Sequence, residues 1–216
     1  VMRWAPRHLD DIGLALLQHL FLVGVSIGCA FVIAMILGVW SARRPKTYAL
    51  VLTLTGMLFS IPSLALFALL IPWLGIGPLP AIVGLTAYAL MILVRNIATG
   101  FHAIAPEVLD AARGMGYGYR RMLWEIELPL ALPFIITGLR IATTTLIGIA
   151  TVAAYINAGG LGAIIFAGLD QRYPEKILIG GALTSLLAIG VDALFLLLQR
   201  RLARRRRLAP STEANA

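Results

Sequence analysis

The stretch Pro106–Pro129, PEVLDAARGMGYGYRRMLWEIELP, is a polar island in an otherwise apolar chain. Residues 107–113 read as a short helix. Pro106 suits a first helical turn, and Glu107 complements the positive end of the helix dipole. Gly114, Gly116 and Gly118 then permit a sharp reversal. A second helix, residues 119–127, puts Tyr119, Met122, Leu123 and Ile126 on one face and leaves Arg120, Arg121, Glu125 and Glu127 largely away from it. Leu128-Pro129 is expected to end that helix and lead into an apolar run. Two amphipathic helices around a glycine turn, set between apolar runs, predict a segment that meets a soluble partner.

The flanks are too oily for a soluble domain. Of 216 residues, 60% are hydrophobic and only 13% charged, about half the usual charged share. Residues 12–42 carry no charge, and neither do the 48 residues 47–94. As one helix the second run would reach about 72 Å, twice a bilayer core, so it must fold back. The glycines and prolines of Gly75-Ile76-Gly77-Pro78-Leu79-Pro80 mark the place. The pattern predicts an all-α membrane protein of one domain, residues 1–207, with spans at about 13–40, 48–74, 79–100, 130–156 and 176–199. The glycine-dense start of 157–174 reads as a re-entrant or tightly turned segment. Residues 208–216 read as a disordered tail. The first apolar run is too long for a signal peptide and reads as a retained span.

Lys and Arg set the orientation. Thirteen of the 18 lie on one set of flanks: Arg43, Arg44, Lys46, Arg95, Arg113, Arg120, Arg121 and six tail arginines from Arg200 to Arg207. Four lie on the other: Arg3, Arg7, Arg172 and Lys176. The N-terminus is therefore expected outside, with the island and the C-terminus in the cytoplasm. The tail arginines read as a positive-inside flank compatible with anionic lipid, and no aromatic-interleaved basic face points to nucleic acid. The lone Cys29 makes neither an intrachain disulfide nor a metal site. Gly114, Gly116 and Gly118 form no nucleotide loop, because no Gly-Lys-Ser/Thr follows.

Arg95, Arg140 and Asp192 lie at membrane depth towards one end of the spans. Mutual pairing, Asp192 with Arg140 or Arg95, is expected. Ser63, Tyr88, Tyr155 and Asn157 are candidates for lining a path, as are Trp73 and Phe59, although anchoring or packing would equally suit the aromatics.

The island resembles the EAA loop of membrane subunits of ATP-binding-cassette importers. That pattern is Glu-Ala-Ala, three residues, Gly, nine residues, then Ile-x-Leu-Pro; here Asp110-Ala111-Ala112, three residues, Gly116, nine residues and Ile126-Glu127-Leu128-Pro129. Asp110 stands in place of the usual Glu, a carboxylate one methylene shorter. Residues 60–66 (SIPSLAL), Gly75-Ile76-Gly77, Val94-Arg95-Asn96, residues 111–116 and 158–162 (AGGLG) resemble the osmoprotectant branch, associated with glycine betaine, choline or carnitine uptake. Methionine-type permeases are the nearest relatives and leave a methionine or similar cargo as the alternative. An ion-coupled secondary carrier is a weaker reading, since it would need coupling residues deep in the membrane.

The resemblance implies the five-span, methionine-permease-like transmembrane domain of a type I importer in the bacterial plasma (inner) membrane. It implies a second permease subunit, identical or a sibling, a cytoplasmic ABC ATPase dimer and an extracytoplasmic substrate-binding protein. ATP and Mg would belong to the ATPase, leaving this chain without cofactor, metal or catalytic residue. Glu107, Asp110, Ala111, Ala112, Gly114, Gly116, Ile126, Leu128 and Pro129 would form the ATPase-coupling surface. Within it, Glu107 and Asp110 are expected to make polar contacts, while Ala111, Ala112 and Gly116 allow close seating.

Overall fold

The computed structural model describes residues 4–207, with side chains to residue 202; the expected tail at 208–216 lies outside the described residues. All regular structure among these residues is helical: α1 (Leu9–Ala42), α2 (Pro45–Ser60), α3 (Ser63–Leu74), α4 (Pro78–His102), α5 (Pro106–Gly114), α6 (Tyr119–Met122), α7 (Leu128–Ala150), α8 (Leu161–Asp170) and α9 (Pro174–Arg207).

Helix α4 is the central pillar, packed mainly by α1 on one side and α7 on the other. Ala81, Leu85, Ala89, Leu93, Val94, Ile97 and Ala98 are wholly buried along it. Lipid tails are as apolar as leucine, so the hydrophobic effect does little to hold such helices together; close packing and interhelical hydrogen bonds do. Both are present. Gly38 leaves room for Ile97, whose Cγ2 would sit 2.6 Å from a Cβ at that position. Ser26 Oγ donates to Leu22 O at 2.7 Å and to Ile82 O across the helix pair at 3.3 Å, and Thr86 Oγ1 donates back to Ser26 O at 3.4 Å.

Among the described residues, four helices are long and apolar enough to cross a membrane: α1, α4, the run Tyr119–Ala150 and α9. The expected span at 48–74 is not one helix. It breaks at Ile61-Pro62 into α2 and α3, which meet at 96°. Pro62 has no N–H to donate and disfavours the helical region for the residue before it. Ile61 is accordingly extended, at φ −70° and ψ 129°. Tyr88 of α4 secures the break: it is buried, its hydroxyl donates to the Ile61 carbonyl, and its ring meets Phe59 edge-on at 5.7 Å.

The expected stop at Leu128-Pro129 is also absent. The chain runs helically from Tyr119 to Ala150, through a π-turn at Leu123–Glu127. A proline inside a helix clashes with the carbonyl four residues back. The wider π-turn just ahead of Pro129 relieves that crowding and lets the helix continue. The fold-back at 75–80 lies where the sequence puts it, with Gly75 at φ 77° and Gly77 at φ 130°.

Beyond α7, the 3-10 turn Val152–Ile156 and a left-handed Asn157 lead through Gly159 and Gly160 into α8. This is the tight segment expected from its glycines, and α8 packs back on α9. In the first turn of α9, Trp4 N–H donates to Glu175 Oε1 at 2.8 Å, and Lys176 Nζ lies 5.0 Å from the Trp4 ring centroid.

Candidate functional site

Helix α5 has Pro106 in its first turn, Glu107 beside it and Arg113 in its last turn. Its end is closed by two paired hydrogen bonds: Tyr117 N–H donates to Ala112 O at 3.1 Å, and Gly116 N–H to Arg113 O at 3.0 Å. This is a Schellman motif, whose penultimate residue must be left-handed. Gly116 meets that demand at φ 79°. Gly114 and Gly118 have ordinary negative φ, so only one of the three island glycines is needed for the reversal.

Glu107, Asp110, Ala111, Gly114 and Gly116 are all exposed on one projecting surface. Arg113 Nη1 donates to Asp110 Oδ1 at 2.7 Å, with both side chains largely in the open. Ala112 departs from the expected seating surface. It is 1% exposed and packs into the chain's own interior. Ile126 and Leu128 are half-buried and Pro129 is exposed. Within the second half, Met122 is buried and Leu123 half-buried, whereas Tyr119 is exposed.

Glu127, expected to point away from the apolar face, does the opposite. It is 5% exposed and forms an ion pair with Arg43, at the end of α1. The Arg43 guanidinium also lies over the Tyr119 ring, 4.1 Å from its centroid. Beside it, His102 Nε2 donates to Ala42 O at 2.8 Å, and Tyr48 meets the His102 ring edge-on. A cleft of about 590 Å³ lies here, lined by Arg43, His102, Arg113, Tyr117, Tyr119 and Glu127 among others. The sequence gives Arg43 only as one of several flanking cations; its partnership needs the π-turn, which no residue spacing announces.

At the other end of α7, a largely apolar groove of about 860 Å³ runs between α3 and the 3-10 turn, lined by Pro62, Leu64, Ala65, Ala68, Ile71, Ile76, Tyr155, Ile156 and Asn157.

Residues 31–208 match the family of binding-protein-dependent transport system inner membrane components. The chain belongs to that family. It is an inner-membrane permease of the ABC type, and it is similar to curated relatives along most of their length. It is 39% identical over 187 residues to the osmoprotectant import permease protein OsmW of Salmonella typhimurium, covering 84% of this chain and 87% of the relative. It is 35% identical over 184 residues to the glycine betaine/carnitine/choline transport system permease protein OpuCB of Bacillus subtilis, covering 85% of each. Among solved structures, an inward-facing MetNI methionine ABC transporter superposes with a TM-score of 0.83 at 25% identity, over 91% of this chain and 98% of that one.

The permease brings together two of the four path candidates. Tyr155 and Asn157 share the groove. Ser63 is half-buried beside it, while Tyr88 is the buried brace of the α2–α3 break and is not part of this groove's lining. Trp73 is 85% exposed and Phe59 packs on Tyr88. Of the membrane-depth charges, Arg140 donates Nε to Asp192 Oδ1 at 2.5 Å and Nη2 to Oδ2 at 2.9 Å, a two-point clamp between α7 and α9. Arg95 is exposed on α4 and is not the partner of Asp192 in this pair.

Proposed function

We propose that this permease carries a quaternary-amine osmoprotectant such as glycine betaine, choline or carnitine into the cell. The observation that carries the reading is the 35–39% identity to osmoprotectant permeases over more than four-fifths of both chains. In this reading the chain crosses the membrane five times, by α1, the bent pair α2–α3, α4, Tyr119–Ala150 and α9. The basic flanks and residues 106–129 face the cytoplasm.

The projecting face of Glu107, Asp110, Ala111 and Gly116 docks on a cytoplasmic ABC ATPase dimer, which binds ATP and Mg and performs the hydrolysis. A capped, rigid α5 joined to a continuous helix supports this role, because force applied at α5 reaches α7 without a slack joint. Two permease subunits share one path, to which Tyr155 and Asn157 contribute, and an extracytoplasmic binding protein delivers the cargo.

The test is ATP-driven uptake into proteoliposomes holding the permease, its ATPase and its binding protein. Radiolabelled glycine betaine should accumulate, and excess choline or carnitine should compete. Accumulation of methionine with no competition by quaternary amines would overturn the cargo, and uptake driven by an ion gradient without ATP would overturn the class.

A further inference from the structure

Three elements must move together if the coupling segment is to act on the whole bundle. Two of its links are covalent. It continues into α7 through the π-turn, and it joins α4 through residues 103–105. The elbow between α1 and α2 has no such link, because 60 residues, 43–102, lie between Ala42 and Ala103 in the chain. Its connections are side chains. Arg43 reaches Glu127 at the end of the π-turn and covers Tyr119 at the start of α6. His102, in the last turn of α4, holds the Ala42 carbonyl and meets Tyr48 of α2.

The Glu127 side chain is only 7% exposed and that of Arg43 31%. A carboxylate so placed needs its partner, because an uncompensated buried charge costs several kcal/mol. The π-turn contributes directly. It sets Glu127 inward, against the phase a regular helix from Tyr119 would give it, and leaves Arg121 and Glu125 paired on the outside.

We propose that the Arg43–Glu127 pair is the non-covalent linkage that carries movement of the coupling segment to the α1–α2 elbow, with Arg43 and Glu127 as positioning residues for transport. The inference rests on the reading of residues 106–129 as the ATPase-docking segment. Without the pair, ATP-driven displacement still reaches α7 and α4, but the α1–α2 elbow follows it only indirectly, through the packing of α1 on α4 and the His102 contacts.

The experiment uses the full complex in proteoliposomes, with radiolabelled glycine betaine as probe, and records uptake and ATP hydrolysis together. Arg43→Ala and Glu127→Gln should each lower uptake per ATP hydrolysed by about fivefold or more, the low end of ordinary coupling between sites, while hydrolysis changes by less than about twofold. The exchange Arg43→Glu with Glu127→Arg should restore much of the lost ratio, which repair of simple packing would not. An unchanged ratio in both single variants overturns the proposal. So does a parallel fall of uptake and hydrolysis in every variant including the exchange. Glu127→Gln keeps the side-chain shape and decides the matter where Arg43→Ala fails to assemble; failure of both to assemble assigns the pair to folding alone. The wild-type complex run alongside separates the two levels. Absence of ATP-driven uptake there removes the reading of residues 106–129, and the inference with it. Normal wild-type coupling beside unaffected variants removes only the pair.

Discussion

The two ends of α7 carry the same local device and use it oppositely. At one end a short helix, a left-handed glycine and a second helix make up residues 106–122. At the other, a 3-10 turn, Asn157, Gly159, Gly160 and α8 do the same. Around Gly116 there is open space, and α5 presents its side chains outward. Around Gly162 there is none: a Cβ there would lie 1.9 Å from the Thr151 carbonyl oxygen. Gln18 Oε1 accepts from Gly160 N–H at 3.0 Å, and His19 of α1, wholly buried, donates Nε2 to Ile147 O at 3.1 Å. One turn is sealed into the bundle, and the other is left bare for something else to cover.

That contrast can be broken in order of severity. Gly162→Ala forces backbone apart and should destabilise the permease by on the order of 3 kcal/mol, read as a large fall in detergent melting temperature; an unchanged Tm would show the sealed turn to be loose. Gln18→Leu strands the buried Gly160 N–H and should cost about 2 kcal/mol in the same assay. Gly116→Leu meets no neighbour but forces a left-handed leucine, so about 1 kcal/mol is expected. Its transport phenotype should exceed its stability loss, with ATP hydrolysis uncoupled from uptake; unimpaired ATP-driven uptake into proteoliposomes would overturn force transmission from α5 to α7. Arg113→Gln, on the bare side, should leave Tm where it is, because exposed ion pairs contribute little. A marked loss of Tm there would mean that α5 leans on the bundle more than its exposure indicates.

Much of this was legible in residue order, and the proline-containing segments show where legibility stops. Glycine and proline together at 75–80 announce a fold-back correctly, since free and restricted φ in alternation suit nothing else. Single prolines do not announce their outcome. Pro62 breaks α2 from α3, Pro72 sits inside α3, and Pro133 sits inside α7. Pro129, expected as a stop, is passed by way of a π-turn. The difference lies in what surrounds each one. Tyr88, 27 positions along the chain, is placed to hold the carbonyl at Ile61, with Phe59 packed against its ring.

The exposure of Glu107, Asp110, Ala111 and Gly114 was legible for a related reason: it follows from local helix phase in a short, regular α5. Glu127 was misplaced because a π-turn adds a residue to one turn and shifts every later side chain around the axis. Its partner Arg43 is 84 positions away, a separation at which local spacing carries no information. Ala112 illustrates the opposite error, in which two adjacent small residues suggest one surface although neighbours on a helix point about 100° apart.

The break at Ile61-Pro62 also bears on the surrounding lipid. Helix α2 has 16 residues and α3 has 12, about 24 Å and 18 Å long at 1.5 Å per residue. Each falls short of the roughly 30 Å hydrocarbon layer, so a crossing made from the pair places its extended elbow at membrane depth. Hydrocarbon offers no partner to an exposed peptide group, and irregular backbone persists there only against protein or water. A crossing made from this pair would therefore need protein or water, not acyl chains, against the elbow on the side of Pro62 and Leu64.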